Sequence, residues 1–228
     1  MLTLLEAHKK DILKNNIETF NETNFKEICT VLSTKDNTIL QIINSFGIPP
    51  LWKRPASFTT LIKIILEQQV SLASAKAAFT QLQQTIGDDI TPEKILALSN
   101  DTLKNCYFSK QKIVYVKDLS NKIISKSLCL ENLELQTDED VKQQLIQVKG
   151  IGNWSATVFL MMALNRCSHF PIGDIALINS IKVEKNLPKE TSIETIEIIA
   201  ENWKPYKTIA SYIFWWSYLN RRGIQWQP

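Results

Sequence analysis

Apolar residues recur three and four positions apart along most of the chain, in runs that open at capping residues and are seldom interrupted by glycine. Only six glycines occur in 228 residues, and the strict alternation expected of half-buried strands is scarce. The pattern predicts an all-α fold. Thr91-Pro92-Glu93 reads as a helix start, with Thr91 as N-cap, proline in the first turn and an acid near the positive end. Asn100-Asp101-Thr102 starts the next. Ser109 opens a longer amphipathic helix through Ile113, Val116, Leu119 and Ile123, and Thr137 opens another that carries Val141, Leu145 and Val148. Helix resumes from Asn153 through Leu164, restarts at Asp174, and closes with segments over 193–203 and 205–219. The first 50 residues read as helical without a usable motif, and Gly47-Ile48-Pro49-Pro50 is the clearest break.

A formal net charge of +3 makes the chain only mildly basic, so nucleic-acid binding has to come from local placement of Lys and Arg. Cys29, Cys106, Cys129 and Cys167 are scattered, without the short spacings of a zinc or iron–sulfur site. They read as reduced thiols of an intracellular, cytoplasmic protein. No apolar run is long enough to span a bilayer, which argues against a membrane partner.

One segment carries chemistry. Between two helices stands Val148-Lys149-Gly150-Ile151-Gly152, where both glycines permit positive φ and a close backbone approach. Amide groups at the start of the following helix would attract an anion, with Lys149 beside them. The plainer reading, that Gly150 and Gly152 merely make a short helix-to-helix turn, stays open at this point. Asp174, twenty residues after Trp154, can likewise be a helix N-cap, a catalytic carboxylate, or both. Tyr212, Phe214, Trp215, Trp216 and Tyr218 crowd the last helix, and aromatic residues at helical spacing usually fill a core.

Taken with Leu66-Glu67-Gln68-Gln69-Val70-Ser71, Phe170-Pro171-Ile172-Gly173-Asp174 and Trp203-Lys204-Pro205-Tyr206-Lys207, the hairpin resembles the helix-hairpin-helix superfamily of base-excision DNA glycosylases. Within it, residues 36–220 are similar to the short, all-helical form of 3-methyladenine DNA glycosylase II. The resemblance implies a two-lobed fold with a DNA-binding cleft between the lobes. The central lobe would cover 58–164, and residues 1–57 with 165–228 would form the second. It implies a monomer that binds double-stranded DNA containing damaged bases, flips alkylated purines and hydrolyses their glycosidic bond.

In that reading Asp174 is the catalytic aspartate, facing the positive charge that builds on the sugar. Trp154 and Trp215 line the base pocket, where an electron-rich indole attracts a cationic alkylated base. Gln69 fills the vacated stack, and Lys149, Gly150 and Gly152 meet the DNA backbone. Bifunctional relatives carry a Schiff-base lysine where this chain has Trp154, so strand cleavage is not expected. No cofactor or metal is implied beyond a monovalent cation on the hairpin carbonyls. The sequence departs from the family at Cys106-Tyr107-Phe108-Ser109, where a glycine is usual, and at Val158, where some relatives place a pocket tyrosine. A non-catalytic DNA-binding module and a bifunctional lyase remain the alternatives.

Overall fold

A computed structural model of the chain describes residues 19–225; the helical reading of residues before 19 lies outside them. The described residues form α-helices joined by short turns, with one isolated bridge pairing Thr19 and Arg166 as their only β feature. The all-α expectation is borne out. Two compact units emerge, one of residues 54–164 and the other of 19–53 together with 165–225.

The first unit holds α3 (Phe58–Glu67), α4 (Leu72–Ile86), α5 (Pro92–Ala97), α6 (Asn100–Asn105), α7 (Lys110–Ile124), α8 (Asp138–Ile146) and α9 (Asn153–Met162). Two of these are apolar nearly all round and form its centre. In α3, Phe58, Leu61, Ile62, Ile64, Ile65 and Leu66 are all buried; in α9, Ala156, Val158, Phe159, Leu160, Met161 and Met162 are. They pack on each other, with α4 and α7 against α3 and α8 against α9. Val158, which the family pattern raised as a pocket position, is core at 2% exposure.

Starts are set by side-chain caps, as the sequence suggested for Thr91, Ser109 and Thr137. Ser57, Ser71, Thr91, Ser99, Ser109 and Thr137 each accept from an amide in the first turn that follows, each cap contributing about 1 kcal/mol. Where the family has glycine after α6, Tyr107 itself takes the left-handed conformation, at φ 63°, so the turn is kept without it. The end of α3 is fixed by a bidentate pair, Arg54 to Glu67 at 3.0 and 2.7 Å, with Arg54 almost fully buried.

The second unit holds α1 (Phe25–Lys35), α2 (Asn37–Phe46), α10 (Ile175–Glu184), α11 (Ile193–Glu201) and α12 (Lys207–Arg221). Its centre is α12, which packs on α1, α2 and α10. Tyr212 and Phe214 are fully buried there, and the Tyr212 hydroxyl donates to the Trp52 carbonyl at 3.0 Å. Asp36 caps α2 and accepts from Trp203 Nε1 at 2.8 Å and Lys185 Nζ at 2.7 Å. Burial works against the charge on Asp36, but the hydrogen bonds from Lys185 and Trp203 outweigh it and hold the carboxyl below the usual aspartate range.

Candidate functional site

In the first unit the hairpin joins α8 to α9. Its glycines differ. Gly150 sits at φ 82°, and a Cβ placed on it would lie 2.1 Å from the Tyr115 ring, so both conformation and packing demand glycine. Gly152 has φ −98° and open space where a Cβ would stand. The expectation of two positive-φ glycines is therefore corrected: one suffices to reverse the chain, because Gly152 already has the extended backbone of an N-cap. That N-cap brings no side-chain hydrogen bond to α9, unlike the serine and threonine caps elsewhere in the unit. The start of α9 is thus a positive helix end with nothing from its own cap to neutralise it.

Side chains on neighbouring helices hold this turn. Asp118 of α7 accepts from the Lys149 amide at 2.9 Å, and the Tyr115 ring lies under Gly150. Gln68 Nε2 donates to the Gly150 carbonyl at 2.8 Å and to Ser155 Oγ at 2.9 Å. The Lys149 side chain is exposed. Among the described residues no group of three His, Cys, Asp or Glu side chains could hold a metal ion. A cation at the hairpin would draw on main-chain oxygens. Those of Val148 and Gly150 already accept from the Ile151 amide and from Gln68, with one lone pair left on each, a donor set that suits a weakly held monovalent ion.

Trp154 lies half-buried in the first turn of α9. Gln69 follows α3, exposed and at φ 54°. That conformation costs a non-glycine residue about 1–2 kcal/mol, and it turns the side chain away from the core that Leu66 enters.

In the second unit Asp174 is the N-cap of α10. Its Oδ1 accepts from the Leu177 amide at 2.8 Å and from Trp215 Nε1 at 3.1 Å. The cap reading of Asp174 is thus correct, and it fixes the orientation of a half-buried carboxylate. Trp215 reaches it from α12. One face of its indole stacks on Tyr212, centroids 5.9 Å apart at 29°, and the ring is half-exposed. Phe214 is core as expected, while Trp216 is half-buried and donates to the Phe46 carbonyl at 2.9 Å. The structure therefore groups Gln69, the hairpin and Trp154 in one unit, and Asp174 with Trp215 in the other.

Sequence reasoning missed Gln68, Tyr115, Asp118 and Lys112, whose Nζ donates to the Leu66 carbonyl at 2.7 Å. Lys112, Tyr115 and Asp118 are spaced by three along α7 and share a face, but nothing in that spacing names the partners they meet.

A family model described as HhH-GPD superfamily base excision DNA repair protein matches residues 62–205. The chain is 30% identical over 165 residues to YfjP of Bacillus subtilis, covering 69% of this chain. It is 29% identical over 180 residues, 74% of this chain, to a second Bacillus subtilis protein named DNA-3-methyladenine glycosylase. These alignments span 58% and 57% of those two relatives' own lengths. Among solved structures, Schizosaccharomyces pombe 3-methyladenine DNA glycosylase Mag1 in complex with abasic DNA superposes with a TM-score of 0.78 at 26% identity, over 83% of this chain and 95% of that one.

Proposed function

The chain belongs to the HhH-GPD superfamily of base excision DNA repair proteins, and on that footing we propose that it is a monofunctional DNA glycosylase that hydrolyses the N-glycosidic bond of alkylated purines. The observation that carries the reading is Asp174: a carboxylate oriented by the Leu177 amide and the Trp215 indole at the start of α10. Breaking the bond leaves positive charge on the sugar, and a fixed ionised carboxylate stabilises that charge without reorganising. Water completes the hydrolysis and an abasic site remains.

Other residues take supporting roles. Trp215, stacked on Tyr212 and half-exposed, takes the role of an indole that meets a flipped base, and Trp154, half-buried in its own unit, is the other indole assigned to that role. An N-alkylated purine is cationic, so such faces attract it by stacking and cation–π interaction, on the order of 1–2 kcal/mol when desolvated. Gln69 enters the stack and can hydrogen-bond the orphaned base. Lys149 and the uncapped start of α9 bind phosphate, positioning the duplex without reading its sequence. A monovalent cation held by the Val148 and Gly150 carbonyls would add positive charge there. With tryptophan at position 154 the family's Schiff-base amine is replaced by a group that forms no imine, which supports hydrolysis without strand cleavage. The protein acts on damaged double-stranded DNA as an intracellular monomer. Among the described residues no helix is long and apolar enough to cross a membrane.

The test uses methylated duplex DNA, with released bases separated by chromatography and strand breaks counted before and after alkali. Free alkylpurines with breaks that need alkali are expected. Borohydride trapping of a covalent adduct would replace this reading with a lyase, and absence of any released base with a DNA-binding module.

A further inference from the structure

Two adjacent glutamines close α3, and the fold uses them in opposite directions. Gln69 is exposed at φ 54°, whereas the Gln68 side chain turns inward to the Gly150 carbonyl and Ser155 Oγ. One carboxamide thus ties the turn carrying Gln69 both to the hairpin and to the first turn of α9. On the other side, Lys112 Nζ donates to the Leu66 carbonyl at 2.7 Å, capping the last turn of α3 three residues before Gln69. The helix that supplies Lys112 also supplies Tyr115 under Gly150 and Asp118 to the Lys149 amide, all from one face at spacings of three.

We infer that Gln68 and Lys112 are positioning residues that hold Gln69 at a fixed place relative to the hairpin, so that phosphate docking and insertion into the base stack occur as one rigid step. The inference rests on the reading of Gln69 as the residue that fills the vacated stack. A glutamine in the left-handed region persists only where its surroundings hold it there, and the groups that do so are these two donors together with the Arg54–Glu67 pair. Burial depresses the Lys112 pKa, which reflects an amine drawn from solvent onto a carbonyl. Val70, 44% exposed beside Gln69, follows the same rigid turn.

The test measures affinity for a duplex bearing a tetrahydrofuran abasic analogue and for the same duplex intact, with circular dichroism melting to confirm folding. Gln69→Ala sets the contribution of the inserted residue to the preference for the abasic duplex. Gln68→Leu and Lys112→Met are each expected to lower that preference about tenfold, and Lys112→Met, which touches no hairpin group, should change affinity for intact duplex less than about twofold. Gln68→Leu combined with Gln69→Ala is expected to be no worse than Gln69→Ala alone, since the first acts through the second. Lys112→Arg keeps the cationic donor and is expected to restore most of the preference. The two changes sit on different helices, so loss of folding in one variant leaves the other to decide. Additive losses, equal losses on both duplexes, or a wild-type preference in Gln68→Leu and Lys112→Met while Gln69→Ala abolishes it would overturn the positioning role. A wild type that shows preference but is insensitive to Gln69→Ala removes the stack-filling reading, and the positioning role with it.

Discussion

The starts of α9 and α10 use the same positive helix end in opposite ways. At α9 the N-cap is Gly152, which brings no side chain and no negative charge, and the turn before it is held from outside by Asp118, Tyr115 and Gln68. At α10 the N-cap is Asp174, which supplies its own anion and has it clamped by the Leu177 amide and the Trp215 indole. One end is prepared to receive charge and the other to present it. On the proposed function, the first region would act through main-chain groups that side chains merely hold, and the second through a single carboxylate. Substitutions should divide accordingly.

The largest expected effect is Asp174→Asn. Asparagine keeps an oxygen for the Leu177 amide and the Trp215 indole, so α10 stays capped and the melting temperature should move by only a few degrees. If Asp174 is the carboxylate of the proposed function, removing its charge should lower base release about 10²- to 10³-fold. A variant that melts early and loses activity in proportion would make Asp174 a structural cap alone.

Next is Gly152→Asp, which makes α9 resemble α10. Open space at the Cβ position and φ −98° allow the substitution without strain, and a carboxylate cap should leave stability unchanged or a few tenths of a kcal/mol higher. The same charge would oppose an incoming phosphate, lowering duplex affinity by something like 10²-fold. Unchanged affinity would mean that phosphate does not approach this helix end.

The all-α class, the caps Thr91, Ser109, Thr137 and Asp174, and the hairpin between two helices were legible because each is a local signal, within four residues of the group it acts on. Asp174 as a cap could be read from its position alone, and its meeting with Trp215 could not, since 41 residues separate them. Gln68 bridges 82 residues to Gly150 and Asp118 bridges 31 to Lys149. Such long-range polar pairs are set by how α3, α7 and α9 pack, and periodicity reports only which face of a helix is apolar. The two hairpin glycines looked equivalent in sequence. Only the Tyr115 ring and the local φ values tell them apart.

A smaller effect tests how the carboxylate is held. Trp215→Phe keeps an aromatic ring against Tyr212 and deletes the indole N–H, a hydrogen bond to a charged group worth about 1.5–3 kcal/mol. Part of that interaction exists in the ground state as well, so base release should fall about tenfold rather than a hundredfold. A fall confined to cationic alkylpurines, with neutral lesions spared, would instead assign the loss to stacking on the indole face.

The smallest effect concerns Lys149, whose exposed side chain adds charge to a region already organised through its backbone. Lys149→Gln leaves the amide that Asp118 accepts from, so the hairpin should keep its shape and the melting temperature should hold. What changes is one counterion released from DNA. The slope of log affinity against log salt should become shallower by about one, with affinity lowered equally for damaged and intact duplex. Base release from bound substrate should be unaffected, because the carboxylate at Asp174 belongs to the other unit. An unchanged slope would place the phosphate on the α9 amides alone, and a loss specific to damaged DNA would give Lys149 a part in recognition that its exposure does not suggest.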